Sequence, residues 1–380
     1  MVKDKKIIIS AHRMVYGVAD AMSDYLKDKK VKEIFFIGLP LVYNKKFSVK
    51  TFCNGRATKK EEFEKKVNLG SLDYIFELFY VLYKVLLQKG KYDLFVGYDS
   101  LNSFAGLVLR KLGKVEKVIL YSMDFTPVRF NNKFINYLYH QIEKISVGNV
   151  DEVWDVSPRM GPARVKFLGI PIDSYKRKIV EVGFWKNKVK KTSFSQVNKH
   201  QLLFLGTLLE KQGVQLVLEA IPEIIKKIPD FKFLILGGGE YEKYLRNKAR
   251  GLEKYVEFRG WLNDRKLLDR ILCESALAVA CYKPERAKLY NFSYYGGAGK
   301  IKDYMSGGLP VILTDVSYNA KEIDQKKCGI LIKYDSKHLS SAIIKLMKSD
   351  KLLKEYKRNV SKYIEEFDWN NIFNKAFVNL

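Results

Sequence analysis

The chain has 380 residues, of which 47% are hydrophobic and 29% charged, with four cysteines. That length exceeds one ordinary core and predicts two domains, and the composition excludes an intrinsically disordered chain. The 68 basic residues outnumber the 42 acidic ones and leave a net charge of +26, spread over both halves. Such a field draws polyanions such as an anionic membrane or phosphorylated small molecules, although solvated lysines also serve solubility alone. No zinc-finger spacing, RRM signature or basic-zipper pattern is present, and Lys far outnumbers Arg, so nucleic acid is not an expected partner. Cys53, Cys273, Cys281 and Cys328 have no C-x-x-C spacing and read as reduced residues of a cytoplasmic protein. The start, "MVKDKKIIISAHR", has too short an apolar run for a signal peptide. No segment approaches the ~18 uncharged apolar residues of a spanning helix.

Taken in chain order, short apolar runs alternate with helical patterns. "KKIIIS" predicts a strand, "YGVADAMSDYLKDK" a helix and "EIFFIGL" a strand. "LDYIFELFYVLYKVLLQ" is a helix apolar nearly all round, which predicts a buried position over a membrane-facing one. "YDLFVGY", "SFAGLVLRKLG" and "KVILYSMD" continue as strand, helix and strand. Continuous apolar runs bounded by turns suit parallel strands covered on both faces, so residues 1–185 read as a doubly wound α/β domain. The polar stretch 186–200 reads as a linker. The same grammar restarts over 201–355 with "LLFLGTL", "FKFLILGGG", "YVEFRGWL", "ALAVACY" and "LPVILTD". The final helical region, 356–380, is long enough to pack back on the first domain. The expected architecture is two Rossmann-like α/β domains facing across a cleft.

Ligands of open parallel sheets bind at strand carboxyl ends. Four such ends in the second domain carry glycines. "FLGTLLEKQG" places Gly206 and Thr207 at a strand end and Lys211 just before a helix, where a lysine neutralises phosphate as a compact charge. "LILGGGEYEKYL" contributes Gly238 but lacks the full dinucleotide fingerprint. "FRGWL" contributes Trp261. "YYGGAGKIKDYMSGGLPVILTD" carries Tyr295, Gly296, Gly297, Ala298 and Gly299 directly before a helix that opens with Lys300. Outward N–H groups at a helix start form an anion site, Lys300 adds a cation, and Asp303 can accept from a ribose diol. Taken singly, each glycine is equally explained as a cap or a tight turn.

In this order the four segments resemble the nucleotide-binding domain of GT-B-fold glycosyltransferases of family 4, most specifically over "KIKDYMSGGLPVI". The resemblance is clear over about 200 to 350 and extends over the whole chain. It implies retaining, metal-independent transfer from a nucleotide diphosphate sugar. The family usually has Glu at the position of Asp303, contacting the ribose, and a second Glu eight residues earlier, where this chain has Tyr295. It often has Arg where this chain has Thr207, which leaves Lys211 and Lys300 as phosphate partners. Asp124 falls where many members carry a histidine facing the reaction centre. It either orients the acceptor hydroxyl and takes its proton or caps the following segment. His12, at the end of the first strand, is a second catalytic candidate. Ser157, Arg159 and Gly183 are weaker ones on later segments.

No His/Cys/Asp cluster has metal spacing, no D-x-D motif is present, and the G-x-S-x-G elbow is absent. The expected function is transfer of a sugar to a cell-surface glycan or lipid-linked acceptor, with no cofactor and no metal. The alternatives are a sugar-nucleotide 2-epimerase of the same fold and a non-catalytic nucleotide-sugar-binding scaffold. The expected location is the cytoplasm, peripheral on the inner face of the membrane, with Lys27, Lys29, Lys30 and Lys32 as candidates to meet anionic lipid.

Overall fold

The computed structural model describes every residue except 1, 14–15, 41–45, 66–69, 71, 187–191, 263, 285–291, 298 and 379. The chain divides into two units, Met1–Glu181 with Trp369–Leu380, and Val182–Asp368.

In the first unit the elements run β1 (Lys6–Arg13), α1 (Val18–Asp28), β2 (Glu33–Pro40), β3 (Lys46–Cys53), β4 (Arg56–Glu64) and α2 (Leu72–Leu86). They continue with β5 (Tyr92–Gly97), α3 (Ser100–Lys111), β6 (Val115–Ser122), α4 (Lys133–Asn149), β7 (Glu152–Asp155), α5 (Met160–Leu168) and β8 (Arg177–Ile179). The strands form one sheet in the order β4-β3-β2-β1-β5-β6-β7-β8. Its pairs are parallel except where β3 meets β2 and β4. The run Ile7, Ile8 and Ile9 is fully buried, as a central strand covered on both faces requires.

The β3–β4 hairpin was not among the expected elements. Its signal is the pair Asn54-Gly55, whose φ values of 49° and 83° give the twist that a two-residue hairpin turn needs. The helix "LDYIFELFYVLYKVL" corrects a second expectation: it is α2, and it is buried along one arc only. Val81 and Val85 face the core, while Phe79 is 63% and Tyr83 59% exposed.

The second unit runs β9 (Asn198–Leu205), α6 (Val214–Ile225), β10 (Lys232–Leu236), α7 (Glu242–Lys248), β11 (Val256–Gly260), α8 (Arg265–Glu274) and β12 (Ser275–Ala280). It continues with α9 (Phe292–Tyr295), α10 (Gly299–Ser306), β13 (Val311–Thr314), α11 (Ala320–Gln325), β14 (Gly329–Ile332), α12 (Ser336–Met347) and α13 (Asp350–Tyr363). The six strands are all parallel, in the order β11-β10-β9-β12-β13-β14. Of the stretch 186–200, residues 187–191 lie outside the described residues, Phe194–Gln196 is a single 3-10 turn, and β9 begins at Asn198.

Of the final helical region, α13 belongs to the second unit, and the last helix, α14 (Trp369–Ala376), to the first. There Tyr25 of α1 lies 5.3 Å from the ring of Phe373 and donates to Asn374 Oδ1 at 2.8 Å. Among the described residues no helix is long and apolar enough to cross a membrane. The four cysteines are free, three of them buried and Cys53 half-buried.

Each sheet reverses its direction of growth once, between β1 and β5 in the first unit and between β9 and β12 in the second. At such a reversal the flanking loops diverge and leave a crevice outside the strand carboxyl ends.

Candidate functional site

At the reversal in the second unit, the loops leaving three adjacent strands are bonded to one another. Gly206 N–H donates to Leu236 O at 2.9 Å, Leu208 N–H to Gly238 O at 3.1 Å, and Gly237 N–H to Gly260 O at 2.7 Å. The fit depends on glycine at 237. Its φ is +137°, and a Cβ there would sit 1.9 Å from Gly206 O. Thr207 follows, half-buried, with its carbonyl accepting from Leu209 N–H at 3.1 Å. Lys211 lies on the 3-10 turn Glu210–Gln212, and its carbonyl accepts from Lys283 N–H at 3.1 Å. That bond ties the turn to the exit of β12.

The helix α10 crosses the end of β9, where Tyr304 Oη accepts from Leu205 N–H at 2.7 Å. Its second residue, Lys300, is held at the reversal itself. The ammonium lies 4.3 Å from the ring centre of Phe204 on β9 and 5.2 Å from that of Tyr282 just past β12. It donates to Gln212 Oε1 and stands 3.1 Å from the point a Cβ on Gly206 would occupy. Among the described residues no carboxylate pairs with it. Burial pushes its pKa down to about 7. A half-buried amine with no counterion among the described residues is a place prepared for an anion.

The other expected donor-site residues divide around Lys300. Gly296 is buried, Gly297 O accepts from Gly299 N–H at 2.8 Å, and Ala298 lies outside the described residues. Trp261 stands at the end of β11, 39% exposed, with Nε1 3.0 Å from where a Cβ on Gly238 would be. The bare backbone at 238 therefore makes room for the indole. Tyr295 is 6% exposed and packs edge-on against Tyr294, their rings 4.8 Å apart, so it belongs mainly to the wall. Asp303 lies one turn after Lys300 and 3.8 Å from Arg265, with its side chain 40% exposed. Dense protein around it pushes its pKa up to about 6, with Asp269 adding to the rise and Arg265 opposing it. Gln212 was missed by sequence reading, because a glutamine two residues before a helix carries no distinguishing pattern.

At the reversal in the first unit a cavity of about 350 Å³ is lined by His12, Asp99, Asp124, Arg129 and Tyr139 among others. The sequence-predicted His12 and Asp124 therefore share one cavity. His12, on β1, has Nδ1 2.7 Å from Asp99 Oδ2 and Nε2 3.0 Å from Glu77 Oε2. Burial alone would lower its pKa, but Asp99 and then Glu77 outweigh that and raise it to about 10. A ring held between two carboxylates in this way is favoured in its protonated form. Asp99 follows β5 and caps α3, accepting from Asn102 N–H at 2.7 Å.

Asp124 accepts from Arg129 Nη2, and the guanidinium stacks 4.8 Å from the ring centre of Tyr139. Arg129 Nε is buried without a hydrogen-bond partner. Asp124 is thereby held beside a fixed cation and is not the cap of α4, which is Asn132. Glu77, Asp99 and Arg129 were missed by sequence reading; only Asp99, in "YDS" at a strand end, carried a local signal. Of the weaker candidates, Ser157 is fully buried and accepts from Arg159 N–H at 3.2 Å, while Gly183 falls in the second unit. Among the described residues no three His, Cys, Asp or Glu side chains are grouped to hold a metal ion.

The profile of the family described as "Glycosyl transferases group 1" matches residues 199–349. The second unit carries a group 1 glycosyltransferase domain. That glycosyltransferase domain includes every donor-site residue described above. A phosphatidyl-myo-inositol mannosyltransferase of Mycobacterium leprae is 26% identical over 174 residues, covering 44% of this chain and 43% of that protein. The match thus spans less than half the length of such curated relatives. Among solved structures, the sucrose-phosphate synthase of Thermosynechococcus elongatus superposes with a TM-score of 0.77 at 14% identity, over 98% of this chain and 97% of that one. Anabaena HepE, solved in complex with UDP, gives 0.69 at 15% identity over 99% and 100%. The two α/β units together have the GT-B fold.

Proposed function

We propose that the chain transfers a sugar, with retention and without a metal, from a nucleoside diphosphate sugar to a glycan or lipid-linked acceptor at the cytoplasmic face of a membrane. The observation that carries the donor half is Lys300, a half-buried amine at the β9–β12 reversal whose hydrogen-bond partner is an amide oxygen. A diphosphate supplies the charge this lysine lacks. Lys211 and the backbone N–H groups after β9 add to its stabilisation as the glycosidic bond breaks. Asp303, ionised above about pH 6, accepts from the ribose hydroxyls. Trp261 offers a face for the base. The relative named a mannosyltransferase makes mannose the first sugar to test.

The acceptor half is assigned to the first unit's cavity. Asp124, paired with Arg129, accepts from the attacking hydroxyl and orients it. The departing diphosphate oxygen takes the proton as the new C–O bond forms, so no protein nucleophile is consumed. His12, a fixed cation, holds Asp99 and Glu77 in place. Incubation of labelled nucleotide sugars with and without membrane lipid extract tests the reading. Label entering the extract supports transfer. Label isomerising without any acceptor identifies an epimerase, and label unchanged under every condition identifies a binding scaffold.

A further inference from the structure

In the first unit α3 packs between α2 and α4, so the three helices form one layer over the sheet. The middle helix is largely buried, while each of the two outer helices leaves one face exposed among the described residues. On α2, Ile75, Phe76, Phe79, Tyr83, Leu86 and the following Leu87 are all exposed. At 100° per residue these positions fall within one arc of about 120°. On α4, Phe134, Tyr137, Leu138 and Ile145 form a second stripe, Phe134 being 67% exposed. Ten large apolar side chains on one layer far exceed the scattered singles of an ordinary soluble surface.

The charges around the stripes decide what covers them. The carboxylates of these two helices are turned away or neutralised: Asp73 pairs with Lys65, Glu77 faces His12, and Glu143 pairs with Arg164. On the neighbouring β4, Glu61 is paired by Lys84 and Glu62 by Lys60, which leaves Glu64 as the exposed carboxylate of that strand with no ion pair among the described residues. Lys89 and Lys91 past the end of α2, and Lys133 and Lys144 on α4, are exposed and have no ion pair among the described residues. The layer therefore presents aromatic and aliphatic groups rimmed by unpaired cations. A second copy of the chain would bring the same lysines face to face, on a molecule already at +26. A bilayer with anionic headgroups complements both features.

We propose that the outer face of α2 and α4 is a docking surface for an anionic lipid bilayer, with the apolar stripes entering the headgroup region and the lysines meeting lipid phosphate or carboxylate. This deepens the membrane location proposed above and names its surface; it does not depend on the sugar chemistry. It also moves the lipid contact away from Lys27, Lys29, Lys30 and Lys32. Lys27 is engaged with Asp24 at 2.6 Å, and Lys29 lies over the Tyr25 ring at 5.3 Å.

Flotation of the full chain with phosphatidylcholine vesicles, with and without phosphatidylglycerol, tests the proposal. Vesicles containing phosphatidylglycerol carry the protein upward at low salt, and pure phosphatidylcholine carries much less. The double variant Phe79→Ser/Phe134→Ser, both at exposed sites, weakens partition by about tenfold per phenylalanine. Lys89→Glu/Lys133→Glu/Lys144→Glu abolishes the preference for phosphatidylglycerol, and Lys29→Glu/Lys30→Glu/Lys32→Glu floats as the parent does. A Phe79→Trp variant, quenched by brominated lipid acyl chains, reads the same contact without relying on a loss. Absence of flotation at low salt, unchanged partition of the phenylalanine variant, or no quenching at 79 overturns the proposal. So does a dimer, seen by light scattering, that the phenylalanine variant converts to monomer. Nucleotide binding measured on the same preparations separates failure of this surface from failure of the transferase reading.

Discussion

Replacing Lys300 by Met removes the ammonium while keeping the aliphatic stem that packs on Phe204 and Tyr282. The parent lysine has its pKa pushed down to about 7 by burial, so at pH 8 only about a tenth of the free protein carries the charge that a diphosphate needs. Binding must first protonate the amine, and each pH unit above 7 therefore costs about tenfold in affinity. The diphosphate of a nucleotide sugar has no proton to lose in that range, so the slope reports the protein. Titration calorimetry with a nucleotide sugar from pH 6.5 to 8.5, at constant ionic strength, measures the slope directly. Repeating it in buffers of different ionisation enthalpy counts the proton taken up. The parent should show a tenfold fall per unit and uptake approaching one proton at pH 8. Lys300→Met should bind about ten- to hundred-fold more weakly at pH 6.5, the worth of a charge-assisted hydrogen bond, and show no slope. A parent whose affinity is flat across this range, or a variant with an unchanged slope, refutes the assignment of the diphosphate to Lys300.

Asp303 sets the acid side of the same profile: with its pKa raised to about 6 it loses its charge below that pH, so donor affinity falls there. Asp303→Asn should bind more weakly at pH 7 and lose that acid limb when the titration is extended down to pH 5. Asp124→Asn should lower kcat by about ten- to hundred-fold in the transfer assay, the worth of a charge-assisted hydrogen bond, while leaving nucleotide affinity unchanged, since it lies in the other unit. The stability that His12 contributes is complete below its unfolded pKa of 6.5 and fades as pH rises through about 10. His12→Gln should therefore narrow the stability difference between pH 7 and pH 10.5 in urea titrations; an unchanged difference contradicts the ion-pair account. Arg164 is fully buried, donating to Glu143 at 2.7 Å and Asp155 at 2.8 Å. Arg164→Leu leaves those carboxylates buried without it and should destabilise the first unit by about 3–5 kcal/mol, read by circular dichroism as a lower melting temperature.

The α/β grammar was legible because parallel strands covered on both faces must be apolar throughout, as Ile7–Ile9 and Ala276–Ala280 are. The donor site was legible because close backbone approach at a strand end leaves a mark in composition, as Gly237 against Gly206 shows. Polar groups that act through tertiary contact were not. Gln212 reaches Lys300 across 88 positions, and Glu77 reaches His12 across 65. Nothing local distinguishes either residue. The aromatic helix was read as buried because an apolar sequence states only that a face avoids water. Whether protein or lipid covers that face is set by the neighbours, here α3 on one side of α2 and no described element over Phe79. His12 illustrates the reverse case: its place at the strand end was read correctly, while its protonation follows from two carboxylates distant in sequence.

The most direct test of the central claim is calorimetric titration of the purified chain with UDP, GDP and ADP in the presence of EDTA. The account predicts that one of the three binds with micromolar affinity and that Lys300→Met removes most of that binding. If none of the three binds, or if binding survives intact in Lys300→Met, the β9–β12 reversal is not a donor site and the account is wrong at its centre.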